Sequence, residues 1–160
     1  MFAIGSCASD PNSQAAHPAA ASGGPIHFAF GSLDGQVVTS DGTRGRLTAL
    51  LFVTTYDLPS HVAARRLNDC FRSHVPRFNA ASIALESLEN APLVETFRDS
   101  LALRYPVALA DQQELRASPA FAGIDRVPVL VLLDRSGRER FRHAGLFEAA
   151  DLESWLRALE

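Results

Sequence analysis

Residues 44–60 read RGRLTALLFVTTYDLPS. The run LTALLFVTT at 47–55 is continuously apolar or β-branched, the pattern of a strand buried on both faces. Pro59 suits the first turn of a helix, where its missing N–H costs nothing. Residues 59–74 (PSHVAARRLNDCFRSH) then carry Ala63, Leu67, Cys70, Phe71 and His74 on one face at helical spacing. A buried strand that passes at once into an amphipathic helix predicts a βα unit at the centre of an α/β domain.

Upstream, residues 27–30 (HFAF) and 36–40 (QVVTS) flank Asp34-Gly35, a turn signal, and predict a hairpin. Residues 43–46 predict a polar turn. Downstream, Pro76 closes the first helix and residues 78–85 (FNAASIAL) predict a strand. Asn90 is the expected cap of a second helix, with Pro92 in its first turn and Leu93, Phe97 and Leu101 on one face. Residues 106–109 (PVAL) predict a strand, and residues 111–117 a short helix capped by Asp111. Val127-Pro128 leads into VLVLLD, a second strongly buried strand, and Asp134–Gly137 is a tight turn. Residues 138–143 alternate charged and apolar side chains, as a strand with one wet face does. Residues 147–159 predict a closing helix with Leu152, Trp155, Leu156 and Leu159 inward. Strands alternating with helices require a central sheet covered on both faces.

The chain has 160 residues, 47% hydrophobic and 21% charged, which predicts one domain that needs no disulfide scaffold. Its net charge is −3, with no basic stripe, so nucleic acid is excluded as an expected partner. All 15 basic residues are Arg, which excludes lysine chemistry. The two cysteines, Cys7 and Cys70, form no C-x-x-C and are too few for a four-cysteine zinc site.

Residues 1–25 are dominated by Ala, Ser, Gly, Pro and Asn and predict a flexible tail, with a single domain over 26–160. Ile4-Gly5-Ser6-Cys7 resembles a bacterial lipobox, whose cysteine receives lipid, and a polar tether follows it. Only six residues precede Cys7, fewer than a signal peptide needs. Two readings stay open: an extracytoplasmic, membrane-anchored lipoprotein whose start codon lies upstream, or a cytoplasmic protein with an untidy tail.

From residue 28 to 159 the chain resembles the TlpA/redoxin (AhpC/TSA-like) branch of the thioredoxin superfamily. Leu33-Asp34-Gly35 resembles its N-terminal hairpin. Arg44-Gly45-Arg46 with LTALLFVTT resembles the lead-in to its active site. Val127-Pro128 with VLVLLDRSG resembles its proline loop, and Arg142–Gly145 the end of its last strand. The resemblance implies an α/β, thioredoxin-like three-layer sandwich, with a mixed central sheet and an N-terminal β-hairpin. It also implies that Pro128 is cis, facing the active site and exposing backbone groups to an extended peptide.

The family's W-C-x-x-C falls, by this resemblance, on Tyr56-Asp57-Leu58-Pro59-Ser60. Asp57 stands at the attacking cysteine and Ser60 at the resolving one. A helix N-terminus makes the family's first cysteine reactive by stabilising its thiolate. Aspartate is already anionic and is among the best N-caps. Asp57 therefore keeps the electrostatic role and loses the nucleophilic one, and the site reads as structural.

The leading expectation is a CxxC-lacking, redox-inactive thioredoxin-like module. It needs no cofactor, touches a membrane only through a lipid on Cys7, and binds an extended segment of a partner protein. The binding residues are then Tyr56, Asp57, Ser60, His61, Val127 and Pro128. The rival is a divergent TlpA-like thiol-disulfide oxidoreductase or peroxidase using Cys70 or a partner's thiol. Against it, Cys70 lies ten positions beyond Ser60, about 15 Å further along the helix, on the apolar face. A third reading is a metal carrier using His61 and Asp57, one helical turn apart, set against a surface histidine beside a cap aspartate. A hydrolase built on Asp57, Ser60 and His61 fails on geometry, because helical neighbours point about 100° apart.

Overall fold

The computed structural model describes residues 23–160 together with the two-residue strand His17–Pro18. Its sheet holds β1 (His17–Pro18), β4 (Thr48–Val53), β5 (Asn79–Ala84), β6 (Val107–Leu109), β7 (Val129–Leu133) and β8 (Glu139–Ala144), in the order β1-β8-β7-β4-β5-β6. The sheet is mixed. Strand β5 runs parallel to β4 and β6, whereas β7 is antiparallel to β4 and β8. A separate hairpin, β2 (Ala29–Gly31) and β3 (Val37–Thr39), pairs antiparallel and touches β6 through a Ser32–Ala108 bridge. The helices are α1 (Ser40–Thr43), α2 (Leu58–Ser73), α3 (Ala91–Ser100), α4 (Gln112–Ala117) and α5 (Ala149–Leu159). No helix among the described residues is long and apolar enough to cross a membrane.

The period of two along β4 explains the layering. Leu47, Ala49, Leu51 and Val53 pack on one face with Ala63, Ala64, Leu67 and Cys70 of α2, Val94 and Phe97 of α3, and Leu152 and Leu156 of α5. Leu50 and Phe52 point to the other face, where Phe28, Phe30 and Val38 of the hairpin region meet Leu115 of α4, Phe121 and Ile124. Every residue of β4 and β7 is buried, as the apolar runs required. The layers are helix, sheet, and hairpin with short helix: a thioredoxin-like α/β sandwich.

Several local expectations need correction. Asn90 makes no side-chain cap bond to α3, because a 3-10 turn over Leu88–Asn90 feeds that helix directly. Its φ of −86° and ψ of 6° are not the extended values a capping side chain requires. Of the expected face, Phe97 is buried as read, but Leu93 is exposed and Val94 takes its place in the core. The polar turn is preceded by the single-turn helix α1, capped by the Thr39 hydroxyl. Strand β1 lies inside the segment read as a tail, and Cys7 lies outside the described residues. Two arginines brace the fold. Arg66 bonds the Phe147 carbonyl and Glu148, each at 2.8 Å, tying α2 to the start of α5. Arg142 holds Glu139 through two 2.7 Å bonds and the carbonyls of Ala120 and Ala122 at 3.2 and 2.7 Å.

Candidate functional site

The C-terminal end of β4 delivers the chain to the mouth of the site. Tyr56 and Leu58 there are 82% and 74% exposed, while Ser60 is fully buried. Asp57 is the N-cap of α2, with extended backbone and Pro59 in the first turn behind it. One carboxylate oxygen, Oδ2, accepts both the Ser60 N–H at 3.0 Å and the Ser60 hydroxyl at 2.8 Å. The same hydroxyl oxygen accepts the Thr54 N–H at 3.2 Å. Ser60 thus clamps the end of β4 to the start of α2. Its O–H donates to the capping carboxylate and its oxygen accepts the Thr54 N–H, which is the bonding of a structural hydroxyl.

Removing the carboxylate costs two things at once. The helix loses its cap, worth about 1 kcal/mol. The buried Ser60 hydroxyl also loses its acceptor, a comparable penalty. We expect Asp57→Ala to destabilise the domain by about 2 kcal/mol in urea unfolding. Asp57→Asn, whose amide oxygen still accepts, should recover most of that loss.

His61 does not turn towards Asp57. Its Nε2 lies 2.7 Å from the Thr55 carbonyl, and its ring packs edge-on against Phe97 with centroids 4.8 Å apart. A carbonyl only accepts, so Nε2 carries the proton and offers no lone pair to a metal. No cluster of three or more metal-ligating side chains occurs among the described residues. Cys70 is buried in the core between α2 and the sheet. Burial first, and the Glu153 carboxylate second, push its thiol from an ordinary 9.0 up to about 11.

A cleft of about 320 Å³ opens beside the tetrapeptide, lined by Pro59, Val127, Pro128, His143, Gly145 and Leu146. The Val127–Pro128 peptide bond is cis. The Pro128 carbonyl accepts the Gly145 N–H at 2.8 Å, while Val127 makes no backbone hydrogen bond with the described residues. His143 is a cleft residue that sequence reading treated only as the end of a strand. Its Nε2 lies 2.9 Å from the Leu146 carbonyl, which again places the proton on Nε2. Its Nδ1 is left as a buried acceptor with no partner among the described residues. Of the six expected binding residues, Val127 and Pro128 line this cleft and Pro59 joins them. Asp57 and Ser60 support it from the helix start, Tyr56 stands exposed beside them in the chain, and His61 is turned away.

No protein-family model matches the chain, and no curated protein matches it. Solved structures do. A DsbF homologue from Corynebacterium diphtheriae superposes with a TM-score of 0.80 at 13% identity, covering 94% of this chain and 97% of that one. StoA from Bacillus subtilis superposes with a TM-score of 0.67 at 22% identity, covering 82% and 96%. The pneumococcal exposed lipoprotein thioredoxin Etrx1 of Streptococcus pneumoniae gives 0.71 at 14% identity, covering 84% and 100%. The chain therefore has the thioredoxin-like fold of these structures. At these identities the likeness extends to the fold and not to the chemistry.

Proposed function

We propose that this protein is a thioredoxin-fold module without thiol chemistry of its own, which binds an extended segment of a partner protein at the cleft beside Pro128. The carrying observation is the pairing of two features at one mouth. The helix start is closed by an aspartate–serine hydrogen bond, with no sulfur atom in it. Next to it, the Val127 backbone groups and His143 Nδ1 have no hydrogen-bond partner among the described residues. Main-chain donors and acceptors left free beside a shallow cleft are what an added strand pairs with. Tyr56 and Leu58, which flank Asp57 in the chain, are exposed apolar side chains open to a partner. On this reading Asp57-Leu58-Pro59-Ser60 occupies the position of a dithiol loop in thioredoxin-fold oxidoreductases.

Titrating the labelled domain with a panel of extended decapeptides tests the binding role. Amide shifts at Val127, Gly145 and Leu146 are expected, weakened by His143→Phe, which removes the free acceptor. Shifts confined to any other surface would defeat the proposal. An extracytoplasmic, lipid-anchored location belongs to the same reading. It is supported by the lipobox-like Ile4–Cys7 and by the fold shared with an exposed lipoprotein thioredoxin. The intact mass of the protein extracted from membranes tests it, since an acylated Cys7 adds the mass of its lipid.

A further inference from the structure

A cavity larger than the cleft at Pro128 lies elsewhere in the fold. It measures about 820 Å³ and lies between the hairpin, the Glu86–Ala91 segment and α4. Its walls include Phe28, Phe30, Leu115 and Phe121, all buried. Its ionisable lining is almost wholly acidic: Glu86, Glu95, Asp111 and Glu114, with His27 and no arginine. Asp111 and the others at the rim are exposed, and an acidic rim alone selects nothing. Glu86 is different.

Glu86 follows β5 and is only 7% exposed. Its Oε1 accepts the Thr55 N–H at 2.6 Å, and its Oε2 is buried with no hydrogen-bond partner among the described residues. The Ser32 hydroxyl, also in the cavity lining, is buried and unpartnered as well. A buried carboxylate oxygen with neither donor nor counter-charge is costly, and proteins rarely retain one without use. Among the described residues no basic side chain forms an ion pair with Glu86, although arginines are paired elsewhere on the surface. The terminal torsion of a glutamate turns easily, so a donor entering the cavity can meet Oε2.

We propose that this cavity is a binding site for an organic cation: an ammonium, amidinium or guanidinium head on an apolar, preferably aromatic, body. The head bonds Glu86 Oε2 and the Ser32 hydroxyl, and the body packs among Phe28, Phe30, Leu115 and Phe121. The volume falls within the range of small-molecule sites. The acidic rim draws a cation inward and repels anions. The site is separate from the peptide cleft and stands or falls independently of it. Its one link is Glu86 itself, which holds the loop that carries Tyr56 and Asp57.

Benzylammonium and its neutral counterpart benzyl alcohol are the free probes, and acetyl-Phe-Arg-Phe-amide presents the same chemistry on a peptide. Binding is read by shifts of side-chain resonances in the labelled protein. Benzylammonium or the peptide should saturate, moving Phe28, Phe30 and Leu115, and should bind at least about tenfold more tightly than benzyl alcohol. Saturation by the peptide alone assigns the cation to an arginine side chain. In Glu86→Gln, which keeps an acceptor for Thr55, the cation's advantage should disappear. Ala110→Phe places a ring in the cavity with Glu86 unaltered in sequence and should block every probe, which keeps the test decisive if the Gln variant folds poorly. Equal affinity for benzyl alcohol and benzylammonium would overturn the proposal. So would failure of both cationic probes to saturate, or shifts confined to the Val127–Pro128 cleft.

Discussion

Truncating Phe52 to alanine should lower the unfolding free energy by about 3–5 kcal/mol, the largest single loss expected in this chain. Phe52 is fully buried, one residue from the C-terminal end of β4. Its ring meets Phe121 at a centroid distance of 5.1 Å and Phe30 at 6.4 Å. Phe30 and Phe121 also touch each other at 5.7 Å, so removing the central ring opens a void bordered by two others. Those two belong to the hairpin and to the segment after α4, both of which pack on the sheet through this cluster. A strand buried on both faces cannot move to fill such a gap without disturbing the opposite core. Phe52→Leu retains most of the volume and should cost about 1–2 kcal/mol. Thermal or urea unfolding of the pair separates cavity formation from a general effect of substitution.

The second large effect concerns Cys70. A thiol held near 11 is ionised at neutral pH about a hundredfold less than one at 9.0, before access is considered. With its side chain 1% exposed, native Cys70 should react with iodoacetamide or an aromatic disulfide at pH 7 at least a hundredfold more slowly than in urea. Rapid labelling of Cys70 itself in the folded protein, located by peptide mapping so that Cys7 is not counted, would revive the single-thiol oxidoreductase. The same shift has a consequence for stability. The unfolded thiol loses its proton around 9.0, while the folded one keeps it to about 11, so the native state binds more protons across that window. Stability should be intact below pH 9 and fall as the pH rises through 11, by up to about 3 kcal/mol from this group. Buried Tyr105, whose hydroxyl donates to the Ala64 carbonyl at 3.0 Å, is pushed up chiefly by burial and adds to the loss above its ordinary 10.0. Cys70→Ala should remove the part of the alkaline slope that begins near 9.

What could be read from the sequence follows the physics of each element. The strands β4 and β7 announced themselves because two buried faces demand unbroken apolar runs. The start of α2 was legible because Asp57 and Pro59 are suited to the cap and the first turn and to little else. Asn90 looked equally suited, but a cap requires extended backbone, and the preceding 3-10 turn removes it. Leu93 was misassigned because the rotation of α3 is set by Val94 and Phe97 against the sheet. Strand β1 has no side-chain signature: two residues, one of them proline, pair with Arg142 and Phe141. At the site, Asp57, Ser60, Val127 and Pro128 were found through motif likeness. Glu86 and His143 were missed because their interest lies in bonds not made. A spare carboxylate oxygen and a spare imidazole nitrogen are properties of packing, and no local pattern records them.

The central claim is that Asp57 and Ser60 stand where a dithiol would stand and differ from it only in chemistry. The direct test installs the sulfurs: Asp57→Cys with Ser60→Cys, assayed beside the wild type for dithiothreitol-driven reduction of insulin. The account predicts a silent wild type and a double variant that closes a disulfide under mild oxidation and gains turnover. Turnover by the wild type would contradict it, as would a folded double variant whose two thiols do not join.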